Sequence, residues 1–248
     1  MGEVQIRELE ELSLRAWPAD TELRLDGWVL RFTRGYTRRA NSVHPIYDIT
    51  KPPAQKLREC EQLYGAHNLP TIFKITSAAT PANVDALLEN AGYRRDSGAH
   101  VLTCPLPAIP TMAQEFRVEN AMVSQWIAAL VCFGYVSEKN APILASIVGR
   151  ITVPICCAMI LENNEPHATG LGVLQGEWLG LFDIVTRAAH RGQGKGSAVV
   201  QSLLTWGQSQ GAKRAYLQVV PGNAPAERLY AKFGFTEAYE YWYRVAPD

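Results

Sequence analysis

His190-Arg191-Gly192-Gln193-Gly194-Lys195-Gly196-Ser197-Ala198 is the stretch whose reading decides the fold. Upstream runs Leu179-Gly180-Leu181-Phe182-Asp183-Ile184-Val185-Thr186, too short and too β-branched to favour a helix. Downstream, Ala198 to Trp206 is apolar at helical spacing and is closed by Gly207 and Gly211. The pattern predicts strand, glycine-rich turn, helix. Glycine at alternate positions 192, 194 and 196 removes the Cβ atoms that keep a ligand from the backbone. The first amides of a helix lack intrahelical partners and sit at the positive end of its dipole. Such a turn suits a phosphate.

Two common phosphate motifs fail. In G-x-G-x-x-G the last position falls on Ser197 or Val199, and in the nucleoside-triphosphate loop Lys195 is followed by Gly196. The pattern [QR]-x-x-G-x-[GA] fits, read as Arg191, Gly194 and Gly196. It resembles the acyl-CoA pyrophosphate loop of the GNAT superfamily of N-acetyltransferases. The other reading is a tight strand-to-helix turn with no ligand.

Working outward, Glu115–Glu119 is a candidate first strand, followed by helices at Ser124–Phe133 and Ala141–Gly149. Strands at Pro154–Leu161 and Ala168–Leu174 lead to the central strand, the turn and its helix. A strand at Ala215–Val220, a helix opened by Pro221-Gly222-Asn223 and stopped by Gly234, and a strand at Tyr239–Val245 complete the order. That β-α-α-β-β-β-α-β-α-β order resembles one GNAT unit from Glu115 to Val245, which implies an α/β fold with a central splayed sheet flanked by helices.

The preceding half is less direct. A helix around Ile6–Ala16, a hairpin turning at Asp26-Gly27, and helices at Ala54–Tyr64 and Asn83–Ala91 are predicted, with strands near Leu69–Ile75 and Val101–Cys104. Pro105, Pro107 and Pro110 mark a linker, dividing the chain into units 1–108 and 112–248. Gly92-Tyr93 matches Gly234-Phe235 at an offset of 142, which also sets Phe73 on Ala215, Ile75 on Leu217 and Leu87 on Leu229. One offset shared by several elements argues for duplication. The first copy has no R-x-x-G-x-G, and its Leu88 stands where the second has Tyr230. The expectation is two tandem GNAT-like units, the first degenerate and unable to hold CoA in the usual way.

Composition excludes several classes. Of 248 residues, 47% are apolar and 19% charged, values of a globular chain with ample core. Lys+Arg and Asp+Glu both total 24, so charge gives no reason to expect a nucleic-acid or membrane partner. Five cysteines without a C-x-x-C pair favour reduced thiols and a cytoplasmic setting. The five histidines show no metal-ligand spacing, and no metal is expected. Oligomeric state is open, with a monomer compatible.

The resemblance implies acetyl-CoA as co-substrate and an amine as acceptor. Acetyl transfer to an amine needs a held donor, a base, an oxyanion donor and an acid for the thiolate. For the donor, the turn from Gly192 and Gln193 to Ser197 is the implied pyrophosphate cradle, with Arg191 and Lys195 adding charge or only surface solvation. Ile184, Val185 and Thr186 would line the pantetheine arm, with an amide near Val185 on the thioester oxygen. Tyr230 is the implied acid, from the Asn223…Tyr230…Gly234-Phe235 setting, although it also shares an apolar stripe with Ala226, Leu229 and Phe233. Asn223 binds pantetheine, caps the helix, or both. Asp183 is the candidate base, placed by strand alternation with Leu181 and Val185; Glu177, Glu138, His190 or a water chain are alternatives. Arg38, Arg39 and Asn41 form either part of a substrate site or a solvated edge. The Leu181–Val185 order resembles acetyltransferases of protein N-termini, and small-molecule acetylators share it. A non-catalytic acyl-CoA-binding regulatory module remains the alternative to an enzyme.

Overall fold

The structure is a computed structural model that describes residues 2–106 and 117–247. The prolines at 107 and 110 and the start of the strand expected at Glu115 lie outside the described residues. The chain forms two compact units, Met1–Val101 with Ala238–Asp248, and Leu102–Glu237.

The first unit opens with helix α1 (Glu3–Ala16), whose Ile6, Leu9 and Leu12 face inward. Strands β1 (Thr21–Leu25) and β2 (Trp28–Phe32) pair antiparallel through a two-residue turn. Asp26 and Gly27 both have positive φ, 43° and 86°, the geometry that matches the twist of paired strands. Strand β3 (Val43–Pro45), helix α2 (Pro53–Ala66), strand β4 (Ile72–Thr76) and helix α3 (Val84–Asn90) follow. Strand β5 (Arg94–Pro105) is far longer than the four residues its apolar run suggests, because its first half is polar and half-exposed. The core on one face joins Trp28, Leu30, Tyr64, Phe73 and Ile75.

The second unit contains β6 (Val118–Ala121), α4 (Val123–Cys132), α5 (Ala141–Gly149), β7 (Ile155–Glu162), β8 (Glu165–Gln175), β9 (Trp178–Thr186), α6 (Lys195–Ser209), β10 (Arg214–Val219) and α7 (Ala224–Ala231). The last strand, β11, is Thr236–Val245. Helix α6 presses Val199 and Leu203 onto β8 where Gly170 and Gly172 leave room, a Cβ on Gly172 standing 3.2 Å from Leu203. Those leucines and valines join Leu179, Leu181, Leu217, Tyr230 and Phe235 in the core of this unit.

Three elements recur 142 residues apart by their first residues: α2 at Pro53 and α6 at Lys195, β4 at Ile72 and β10 at Arg214, β5 at Arg94 and β11 at Thr236. The final strand of the second copy lies in the first unit. In the first unit β11 pairs antiparallel with β4, from Tyr241↔Thr76 to Val245↔Ile72, giving the order β1-β2-β3-β4-β11-β5. In the second, the end of β5 lies beside β10, in the order β5-β10-β9-β8-β7-β6. The division at 108 and 112 assigned the final strand to the second copy; its main body belongs to the first compact unit. Local periodicity reports that a strand exists, and carries nothing about which partner it pairs with.

Among the described residues no helix is long and apolar enough to cross a membrane. All five cysteines are free; Cys132 is exposed and the others are buried.

Candidate active site

The glycine turn forms a helix start with open amides. Gly192 and Gly194 have φ of 75° and 81°, so both need the left-handed region that glycine enters freely. Helix α6 begins at Lys195, earlier than the apolar spacing alone suggested, and its first backbone bond runs from Ala198 N–H to the Gly194 carbonyl. The amides of Lys195, Gly196 and Ser197 therefore precede the helical ladder, as an anion cradle requires. A Cβ on Gly196 would lie 3.3 Å from Thr186 Oγ1, so glycine lets the turn close onto the end of β9. Arg191 is exposed, its Nε donating to the Thr186 carbonyl at 3.3 Å.

Beside this turn two strands part. β9 and β10 pair in parallel from Trp178↔Arg214 to Leu181↔Leu217 and no further. Phe182 to Thr186 continue without a β10 partner. On the other side of β9 the register with β8 shifts between Leu171↔Phe182 and Thr169↔Val185. Two residues, Asp183 and Ile184, thus face one, Gly170, which is a β-bulge. Asp183 has φ of 45°. Strand alternation therefore does not hold across Asp183, contrary to its placement with Leu181 and Val185. The bulge resets the phase: Ile184 turns toward α6, packing over Gly170. Extra residues in a strand leave no mark on a period-2 pattern, which is why the sequence missed it.

The bulge gathers the side chains. Tyr135, 55% exposed on the connection between α4 and α5, donates its hydroxyl to Asp183 Oδ1 at 3.3 Å. Tyr230 on α7 is buried, and its ring meets Phe235 edge-on at 5.9 Å between centroids. Burial, with a smaller push from the charge of Asp183, raises its phenol to about 12. Tyr230 therefore carries its proton at neutral pH. Asn223 accepts the Ala226 amide at 3.3 Å and N-caps α7. Tyr135 was not legible as a site residue, since a tyrosine after a helix is usually surface.

Lys195 differs from expectation. It is 4% exposed, with its ammonium turned inward onto Glu162 and His167 rather than out toward the cradle. A lysine in a glycine loop reads as surface because the carboxylate that buries it lies 33 residues away. Glu177 pairs with Lys213 at the surface, whose hydrogen bond and charge hold its carboxyl below the ordinary range, and Glu138 is exposed. His190 stacks on His167 at 3.6 Å. Among the described residues no group of three or more His, Cys, Asp or Glu is gathered as a metal site.

The corresponding turn of the first unit is filled from within. At the offset of 142, Thr50 to Ala54 stand where Gly192 to Gly196 stand. The carboxylate of Asp26 accepts the amides of Thr50 and Lys51 at 2.9–3.0 Å and the Thr50 hydroxyl at 2.8 Å. Pro52 and Pro53 follow, and neither has an N–H to offer. Asn41 is also structural: its Oδ1 accepts the Thr33 and Gly35 amides at 2.7 and 3.0 Å. Arg38 pairs with Asp96 at 2.7 Å, and Arg39 lies over the Trp17 ring.

A parallel pair that opens beside a glycine turn, in a mixed sheet flanked by helices, is the GNAT arrangement, and this chain is a GNAT-type N-acetyltransferase. It belongs to the family described as "Probable histone acetyltransferase Rv0428c C-terminal", which matches residues 3–244. It is 30% identical over 248 residues to "Uncharacterized N-acetyltransferase YobR" of Bacillus subtilis (strain 168), covering 97% of this chain and 98% of the relative. Among solved structures it resembles a GCN5-related N-acetyltransferase from Kribbella flavida, with a TM-score of 0.72, 16% identity, and 98% and 95% of the two chains covered. A tandem GNAT protein from the clavulanic acid biosynthesis pathway shares the fold at a TM-score of 0.62 and 9% identity, over 97% and 88% of the chains.

Proposed function

We propose that this enzyme transfers acetyl from acetyl-CoA directly to a primary amine of a small molecule or peptide, at one donor site per chain. The observation that carries the reading is the open glycine turn of α6 beside the parting of β9 and β10. The amides of Gln193 to Ser197 hold the diphosphate, with Gly192, Gly194 and Gly196 giving access and Arg191 adding charge. Ile184, Val185 and Thr186 offer backbone to the pantetheine arm, and an amide near Val185 faces the thioester oxygen. Asn223 hydrogen-bonds the pantetheine arm as well as capping α7. Asp183 accepts a proton from the amine; the amine nitrogen bonds the acetyl carbon as its bond to sulfur breaks; Tyr230 gives its proton to the departing thiolate. The first unit takes no donor, because Asp26 occupies the amides of Thr50 and Lys51 and Pro52 and Pro53 have none to offer.

Calorimetric titration of acetyl-CoA into the full chain tests this. The expected result is one site per chain, abolished by Gly194→Glu with the circular dichroism spectrum retained. A wild-type chain that binds no acetyl-CoA overturns the reading.

A further inference from the structure

The glycine turn has a mobility problem. Two glycines at positive φ within three residues make a supple backbone, yet an anion cradle gains affinity only if its amides are already aimed. Lys195 answers this from below. Its backbone belongs to the cradle and its side chain runs the other way. Nζ donates to Glu162 Oε1 at 2.7 Å and to His167 Nδ1 at 2.7 Å. Glu162 Oε2 also lies 3.2 Å from the same Nδ1, so the Lys195 ammonium is held between the carboxylate and the imidazole. With Lys195 as donor, the imidazole proton is assigned to Nε2. The face of His167 stacks on His190 at 3.6 Å and 16°. His190 ends the short 3-10 turn that leads directly into Arg191. The His167 carbonyl also accepts the Arg187 amide at 2.9 Å.

Both ends of the glycine stretch, His190 and Lys195, are thus tied to His167 on β8 and Glu162 at the end of β7. We infer that Glu162, His167 and Lys195 are positioning residues that hold the turn in its binding geometry, and that Lys195 serves the donor through this latch rather than by touching phosphate. The inference rests on the proposed donor site. Charge-assisted bonds of this kind are the strong ones, and their loss converts to roughly tenfold in affinity.

The test uses Lys195→Met, which keeps the stem and removes the charge, and Glu162→Gln, which keeps the side-chain shape at a half-exposed position where folding is tolerant. The expected result is a KM for acetyl-CoA raised about tenfold in Lys195→Met and several-fold in Glu162→Gln, with kcat at saturating donor changed less than about twofold in both. The double variant should be no worse than Lys195→Met alone, because the residues act as one unit. A direct phosphate contact predicts the opposite for Glu162→Gln, since a lysine freed from its carboxylate would bind the donor as well or better; that result overturns the inference. Unchanged KM in both variants, with only the melting temperature lowered, also overturns it. A wild type that binds acetyl-CoA while Gly194→Glu does not, alongside variants at 162 and 195 that titrate like wild type, removes the latch and leaves the donor site standing. If wild type itself fails to bind, the donor site falls first.

Discussion

Lowering the pH from 7 to 5 should destabilise the first unit by about 2 kcal/mol, through one histidine. His44 on β3 is 2% exposed, among Glu10 of α1, Arg31 of β2 and Lys74 of β4. Its Nε2 shares a hydrogen bond with Ser42 Oγ at 3.1 Å, while its Nδ1 is 3.9 Å from Glu10 Oε2, too far to bond. Burial pushes its pKa down to about 4, the attraction of Glu10 being offset by repulsion from Arg31 and Lys74. Because the folded value is depressed, the unfolded chain takes up a proton first as pH falls. Stability is full above about pH 6.5 and drains until about pH 4, at up to roughly 1.4 kcal/mol per pH unit. Glu10 then adds a second loss. Burial works to raise its carboxyl, but the ammonium of Lys74, at 2.6 Å, and His44 outweigh that and hold it at about 2. Its contribution is present above about pH 4.5 and disappears toward pH 2. Urea unfolding followed by circular dichroism at pH 7, 6 and 5 measures the slope, and His44→Gln, which cannot titrate, should flatten it whatever it does to stability at pH 7. A wild-type loss below about 0.5 kcal/mol, or an equal slope in the variant, refutes the reasoning.

Tyr230→Phe should lower kcat about a hundredfold with the KM for acetyl-CoA within twofold, measured by release of free CoA thiol. Asp26→Ala should lower the urea midpoint yet create no second donor site, since Pro52 and Pro53 still lack amides; calorimetry should read one site as before. Gly98→Ala should abolish soluble expression or cost several kcal/mol, because a Cβ there overlaps the Tyr241 carbonyl oxygen on β11 and neither backbone can yield; thermal melts compare it with Gly65→Ala on α2, whose Cβ meets nothing within 4 Å.

The second copy was legible because its elements are local. A glycine turn, a proline-opened helix and an apolar run each declare themselves within ten residues, and their order carries the fold. The duplication was legible for the same reason, through Gly92-Tyr93 and Gly234-Phe235. Asp183, Lys195 and β11 were not. The bulge at Asp183 is created by the register of β8 against β9, which no single strand encodes. The inward turn of Lys195 depends on Glu162 and His167, brought near by two strands. The fate of β11 depends on which parallel strand lacks a neighbour. The buried cluster of Glu10, Lys74, His44 and Tyr239 was equally hidden, since each residue taken alone reads as surface. Each miss is a case where tertiary pairing overrides a local signal.

The placement of β11 bears on how the chain is made. Domains emerging from a ribosome generally fold in order, the first completed before the second appears. Here β11 lies between β4 and β5 of the first unit. Residues 1–101 therefore leave the exit tunnel as a sheet whose place between β4 and β5 is empty, and the missing strand is translated only after the rest of the second copy. Until it arrives, β4 and β5 present open edges, the condition in which strands pair with the wrong chain. Half-charged β5, with Arg94, Arg95 and Asp96 at its start, suits an edge that must wait. Translation speed over the second copy, rather than the stability of the finished protein, would then govern how much of each batch of nascent chains survives.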